Sequence, residues 1–110
     1  MMEKSNIFSN ISTNLDAELF EDIINKESFK LQRIVSQGHT TPEGEWYDQD
    51  EDEWVILLCG EAVLSFENCE DVHLQAGEHL NIKAHKKHRV SWTKPDAKTI
   101  WLALYSQPLA

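Results

Sequence analysis

The sequence predicts an all-β fold, a sandwich or barrel of short strands, preceded by one short N-terminal α-helix. Three observations carry this. First, six consecutive apolar residues, Trp54 to Cys59, lie between a dense acidic run and Gly60, the pattern of a strand buried on both faces between two turns. Second, from Phe29 onward apolar and polar residues alternate in short runs separated by turn chemistry at even spacing, as in sandwiches and barrels. Third, a helix-like stripe occurs once, at Leu15, Leu19, Phe20, Ile23 and Ile24.

Composition narrows what such a fold can do. A chain of 110 residues has room for one domain and one core. Nineteen acidic against ten basic residues give a formal charge of −9, which argues against nucleic acid or an anionic membrane as partner, because phosphate binding needs a basic footprint. There is no apolar run long enough to span a bilayer. The N-terminal MMEKSNIFSNIST lacks the apolar core and cleavage site of a secretory signal, so a cytoplasmic location is expected. Cys59 and Cys69, without CxxC spacing, fit reduced structural thiols.

In chain order, residues 1–14 are polar with Ile7, Phe8 and Ile11 as anchors, a loosely packed arm. The helix should start near Leu15, capped by Thr13 or Asn14, with Asp16, Glu18 and Glu21 near its positive end. Leu31, Arg33 and Val35 alternate with their neighbours in a strand that ends at Gly38. Pro42 and Gly44 open a turn. Seven of the eleven residues from Glu43 to Glu53 are acidic, and Glu43, Glu45, Asp50 and Glu51 read as a solvated turn. On the strand that follows, Glu53, Val55, Leu57 and Cys59 share one face and Trp54, Ile56 and Leu58 the other. Both faces are apolar, which predicts either a central strand or an outer face covered by a second copy. Further strands are expected in EAVLSFE, on both sides of Gly77, in HRVSWT and in TIWLALYS. Two hairpins thus each deliver one chemically able side chain, Glu53 and His88.

The spacing of these residues resembles the cupins, small jelly-roll β-barrels. Their first motif ends in a glutamate, six residues and a glycine, matched by Glu53 and Gly60. In their second motif a glycine is followed by a Pro-x-Gly turn and a histidine; Gly77 and His88 match, while Lys83 and His85 occupy the proline and glycine positions. The resemblance covers roughly residues 30 to 106, and TPEGEWYDQDEDEW is similar to a subgroup of short, single-domain bacterial cupins, RmlC-like in fold, with YDQ in place of the His-x-His of the first motif. It implies a cupin-type jelly-roll β-barrel over residues 29–110, with the arm and helix of residues 1–28 packed on it, and a homodimer.

The resemblance also proposes a site, from which this chain departs. In metal-binding cupins two imidazoles, the glutamate and the second histidine hold iron, manganese, nickel or zinc. Here the imidazole positions fall on Tyr47 and Gln49, or on Trp46 and Asp48. The candidate metal ligands are Gln49, Glu53 and His88, with Asp48 as the alternative carboxylate, and any divalent ion would be weakly held. Strand alternation allows either Asp48, or Tyr47 and Gln49, to point inward. Tyr47, Gln49 and Trp92 are candidate ligand-binding residues, the two aromatics as a pocket wall. His85 and His39 flank the same mouth, and His73 and His79 are surface residues. His88 is equally well a buried histidine satisfied by Glu53.

Three function classes follow. The first is a small-molecule-binding cupin in which Tyr47, Gln49, Glu53 and His88 orient a polar ligand. The second is a metal-dependent dioxygenase or isomerase. The third is a metal-free acid/base isomerase, epimerase or lyase, with Glu53 and His88 as catalytic residues. The fold alone does not choose among them.

Overall fold

A computed structural model of the chain describes residues 2–13 and 15–108. Eight strands follow one another: β1 (Leu19–Asn25), β2 (Phe29–Ser36), β3 (Asp52–Cys59), β4 (Glu61–Phe66), β5 (Val72–Gln75), β6 (His79–Ile82), β7 (His88–Thr93) and β8 (Thr99–Ser106). They form a five-stranded sheet in the order β1-β2-β8-β3-β6 and a three-stranded sheet in the order β5-β4-β7, every pairing antiparallel. From β2 onward each strand falls on a segment that the alternation marked.

The expected helix over Leu15 to Ile24 is replaced by β1, the one element of the predicted fold that the structure corrects. Leu19, Phe20, Glu21 and Asp22 pair in step with Val35, Ile34, Arg33 and Gln32; the register then shifts, and Ile24 pairs with Leu31. The shift inserts one residue, Ile23, and resets the alternation. Apolar residues at positions 19, 20, 23 and 24 therefore imitate helical spacing while following a bulged strand. The choice is also energetic. An isolated helix of this length is marginal in water, whereas pairing with β2 satisfies backbone groups that the sheet edge would leave open. Thr13 caps nothing, lying exposed in a bend, and Asn14, the alternative cap, lies outside the described residues.

The two sheets face each other across a core that includes Ile34, Val55, Leu57, Leu64, Trp101 and Ala103, with Ala62, Leu74, Ile82 and Tyr105 in the same cluster. β3 keeps the predicted division: Glu53, Val55 and Leu57 are buried, and Trp54, Ile56 and Leu58 are half-buried on the outer face. In register with them on the outside lie Leu104 and Leu102 of β8, and beyond these Leu31 of β2. This makes an apolar stripe across three strands. The N-terminal arm is tied down more firmly than its composition suggested. The buried Arg33 guanidinium donates to the carbonyls of Ile7 (3.0 Å) and Ser9 (2.6 Å) and to the Glu21 carboxylate (2.6 Å). Among the described residues no helix is long and apolar enough to cross a membrane.

Gly60 turns the chain from β3 into β4 at φ +89°, and a Cβ there would lie 2.4 Å from Thr99 Oγ1 and 2.6 Å from Thr99 Cα. Thr99 is fully buried and its hydroxyl exchanges hydrogen bonds of 3.3 Å with the backbone of Glu61, so it has nowhere to retreat. Gly44 has a similar φ of +87° with nothing within 4 Å. Gly44→Ala should therefore cost only the strain of a left-handed residue, about 1–2 kcal/mol, and Gly60→Ala distinctly more. Urea denaturation of the two variants measures this, and equal midpoints would contradict the account.

Candidate functional site

Glu53 is the second residue of β3 and points inward, 7 % exposed; His88 is the first residue of β7, in the facing sheet, 5 % exposed. Their side chains meet at 3.3 Å, Glu53 Oε1 to His88 Nε2. The other ring nitrogen, Nδ1, lies 2.9 Å from the Lys86 carbonyl. A carbonyl oxygen only accepts, so Nδ1 carries a proton, and the imidazole is oriented at both ends.

The stretch before the acidic turn reaches the same space. Tyr47 forms an isolated antiparallel bridge with His88, through Tyr47 N–H to His88 O (2.7 Å) and His88 N–H to Tyr47 O (3.1 Å). Two residues on, the Gln49 amide donates to Glu53 Oε1 at 3.3 Å. The alternation that the sequence left open is thereby decided: Tyr47 and Gln49 face inward and Asp48 faces out. Asp48 instead holds His85 Nδ1 at 2.9 Å on the exposed rim, where Asp50 lies 3.4 Å from the other nitrogen of the same ring.

These side chains line a small cavity that opens between the two sheets. Tyr47, Gln49, Glu53 and His88 are all in its wall, with Phe20, Ile34, Val55, Leu64 and Val90 as the apolar remainder. Trp92 is not. It lies 38 % exposed because an extra residue, Ser91, interrupts the register between β7 and β4: Val90 pairs with Leu64, but Trp92 pairs with Val63. The inward alternation of His88 and Val90 stops there. His39 lies outside the wall and accepts the Gln37 N–H on Nδ1 at 2.9 Å. His73 pairs with Glu61 at 2.5 Å, and His79 packs on Trp54 at a ring separation of 5.4 Å.

Three residues of the wall that carry a polar side-chain atom were absent from the sequence expectations as site residues: Glu18, Trp101 and Tyr105. Trp101 and Tyr105 share the inner face of β8 with Ala103, a period of two that points all three the same way. Glu18 and Phe20 share that relation across the start of β1, hidden by the helical reading. The carboxylate of Glu18 accepts a hydrogen bond from the Ser36 hydroxyl.

Burial governs the protonation of the site. Glu18 is pushed above the ordinary carboxyl range by burial, which the Ser36 hydrogen bond and His39 offset only in part. Tyr47 is raised by burial and then by the nearby charge of Glu18. Tyr105 is raised further, by burial and by the charge and hydrogen bonding of Glu53. Both phenols are therefore proton donors at neutral pH. Burial alone would depress His88, but its hydrogen bonds to Glu53 and to the Lys86 carbonyl, with the Glu53 charge, outweigh it, and the net shift is upward.

The donor set does not fit a first-row metal ion. Such a centre takes at least three nitrogen, sulfur or carboxylate ligands, and among the described residues no group of three or more His, Cys, Asp or Glu is arranged so that it could hold an ion. One imidazole and one carboxylate remain, already joined to each other, and the Gln49 amide turns its N–H toward Glu53. Asp48, the alternative ligand, faces away.

A raised native value for His88 fixes the sign of a pH effect. The stabilisation from its charged form is complete below the ordinary imidazole value of 6.5 and is lost as pH rises through the native value. By NMR the His88 ring should titrate above 6.5 in the wild type, and lower in Glu53→Gln, where the raising charge is gone. The difference in urea midpoint between the two proteins should narrow from mildly acid to alkaline pH. A wild-type midpoint at or below 6.5 would show that burial prevails.

No protein-family model matches the sequence, and no curated protein does. Solved structures do. A protein of Ralstonia eutropha JMP134, provisionally named a mannose-6-phosphate isomerase, is 31 % identical with a TM-score of 0.93, over 97 % of this chain and 100 % of its own. A cupin superfamily protein of Desulfitobacterium hafniense DCB-2 is 17 % identical with a TM-score of 0.73, over 89 % and 84 %. An RmlC-like cupin family protein of Methanocaldococcus jannaschii, with a double-stranded β-helix fold, is 16 % identical with a TM-score of 0.71, over 97 % and 93 %.

Proposed function

The chain belongs to the cupin superfamily, and from that premise we propose that its barrel binds a small molecule whose polar end is held by Tyr47, Gln49, Glu53 and His88, without a metal ion. The observation that carries this is the convergence of these four side chains, with Glu18 and Tyr105, on one cavity whose remaining wall is apolar, the usual composition of a small-ligand site. A sugar phosphate, suggested by the provisional name of the Ralstonia protein, suits this cavity poorly. Its dianion would face Glu18 and Glu53, and no Lys or Arg lies among the described lining residues. A neutral ligand meets no such cost.

One observation favours a second reading, proton transfer. His88 is held at both ring nitrogens, by Glu53 and by the Lys86 carbonyl, which is how a general acid or base is positioned. Binding and proton transfer use the same residues, so one experiment addresses both. Native mass spectrometry and small-molecule extraction of untagged protein should find a metal-free chain carrying a small molecule. His88→Ala should lose that molecule and about 1–3 kcal/mol of stability, because Glu53 is left short of a donor. Stoichiometric zinc, iron, nickel or manganese in the wild type would overturn the metal-free reading.

The outer stripe of Trp54, Ile56, Leu102, Leu104 and Leu31 supports a homodimer, with a second copy covering it. Sedimentation equilibrium at micromolar concentration should give twice 12.7 kDa, and Ile56→Asp should return the monomer. Cys59 and Cys69 are both free thiols, consistent with the cytoplasm as the site of action. The acidic balance supports no nucleic-acid or membrane partner.

A further inference from the structure

The cavity wall holds more negative charge than the protein itself balances. Two carboxylates, Glu18 and Glu53, line it, and among the described lining residues there is no Lys or Arg. Glu53 has the His88 imidazole at 3.3 Å and the Gln49 amide at the same distance. Glu18, half-buried just before β1, accepts from the Ser36 hydroxyl, a neutral donor, and forms no ion pair among the described residues. The basic group that acts on it through space, His39, lies outside the wall. The carboxylate of Glu18 is also close to the other polar groups of the cavity. The phenols of Tyr47 and Tyr105 line the same space, and each feels the charge of both Glu18 and Glu53, an influence that weakens with distance. Two carboxylates and two phenols therefore surround one volume, and the potential inside it is negative. Phe20, 49 % exposed, and Tyr47, 37 % exposed, add aromatic rings to this wall, and such rings attract cations to their faces.

We propose that the cavity selects a small organic amine in its ammonium form, and that Glu18 sets this preference by pairing with the ammonium group. This rests on the reading of the cavity as a small-molecule site and adds the ligand's charge and the residue that reads it. The charges close: His88 offsets Glu53, and one ammonium offsets Glu18. A carboxylate or phosphate would add to the unbalanced charge. A neutral alcohol can donate one hydrogen bond to Glu18 but leaves a desolvated carboxylate without a counter-charge, so Glu18 holds a proton instead, as burial already inclines it to do. An ammonium takes the place of that proton. Its hydrogen bonds to the carboxylate are charge-assisted, roughly twice as strong as neutral ones. The hydrocarbon part of the amine would rest on Ile34, Val55, Leu64 and Val90.

The test uses the full chain labelled with 13C and three probes that share one hydrocarbon body and differ in the charge of the head group: isobutylammonium, isobutanol and isobutyrate. Each is titrated at neutral pH against the methyl signals of Ile34, Val55, Leu64 and Val90. Isobutylammonium should saturate these signals about tenfold more tightly than isobutanol, and isobutyrate should not saturate them at all. In Glu18→Gln, which keeps an acceptor for Ser36, the ammonium should fall to the affinity of the alcohol, and the alcohol should change little. Asp48→Asn removes a charge of the same sign outside the cavity and should leave both affinities as they are. If Glu18→Gln does not fold, the carboxyl 13C signal of Glu18 in the wild type decides: it should titrate lower in saturating isobutylammonium and not in isobutanol. Equal affinity for ammonium and alcohol, or a preference for the ammonium that survives in Glu18→Gln, overturns the inference and leaves the cavity as a small-molecule site. Failure of all three probes to bind overturns the small-molecule reading and this inference with it.

Discussion

The arrangement depends on one buried carboxylate. Glu53 is almost fully desolvated, and a carboxylate so placed must be paired and hydrogen-bonded or it becomes neutral. Its partners come from three directions: His88 from the facing sheet, Gln49 from the stretch before the acidic turn, and Tyr105 from the neighbouring strand β8. Satisfying this group therefore joins the two sheets at the mouth of the barrel. It also fixes the inward face of Tyr47 to Gln49, because only the register that turns Gln49 toward Glu53 also lets Tyr47 bridge to His88. The acidic residues outside follow from the same register, with Asp48 and Asp50 gathered round His85 on the rim.

A second buried charge acts at the opposite side of the sheet. Arg33 points outward from β2 and spends its guanidinium on the carbonyls of the arm and on Glu21 of β1. Those contacts fasten the first strand to the sheet edge. That strand carries Phe20 into the cavity wall, and Glu18 just before it. The N-terminal segment is thus part of the binding surface as well as a cover for the core. A bulge allows both roles, since it lets Ile24 return to the outer face opposite Leu31.

These features differ in how plainly the sequence shows them. β2 to β8 are legible because their alternation is local and their turns carry glycine or charge. The pairing of Glu53 with His88 is legible because their strands begin at recognisable turns. β1 is hidden, since one bulged residue converts a period of two into helical spacing, and with it Glu18 is misplaced. Trp92 misleads for the same reason at Ser91, where an extra residue turns the following side chain outward. Trp101 and Tyr105 lie on a strand that the sequence places correctly. What the alternation cannot show is which length of the inner face lines the cavity and which fills the core, because that depends on how far apart the two sheets stand at each level.

The chemistry of the cavity follows from what stands at the two positions where metal-binding cupins have imidazoles. Here they carry a phenol and an amide, Tyr47 and Gln49. Each can donate a hydrogen bond, and neither is a strong ligand for a first-row ion at neutral pH. Gln49 gives its N–H to Glu53, and burial with the surrounding negative charge keeps Tyr47 protonated. The carboxylate that would face an ion is instead the acceptor at the centre of a hydrogen-bonded set. The phenols, the indole of Trp101 and the oriented imidazole of His88 surround the same space. Such a wall discriminates through hydrogen-bond geometry and the exclusion of water, and its carboxylates, with no Lys or Arg among the described lining residues, turn it against anions.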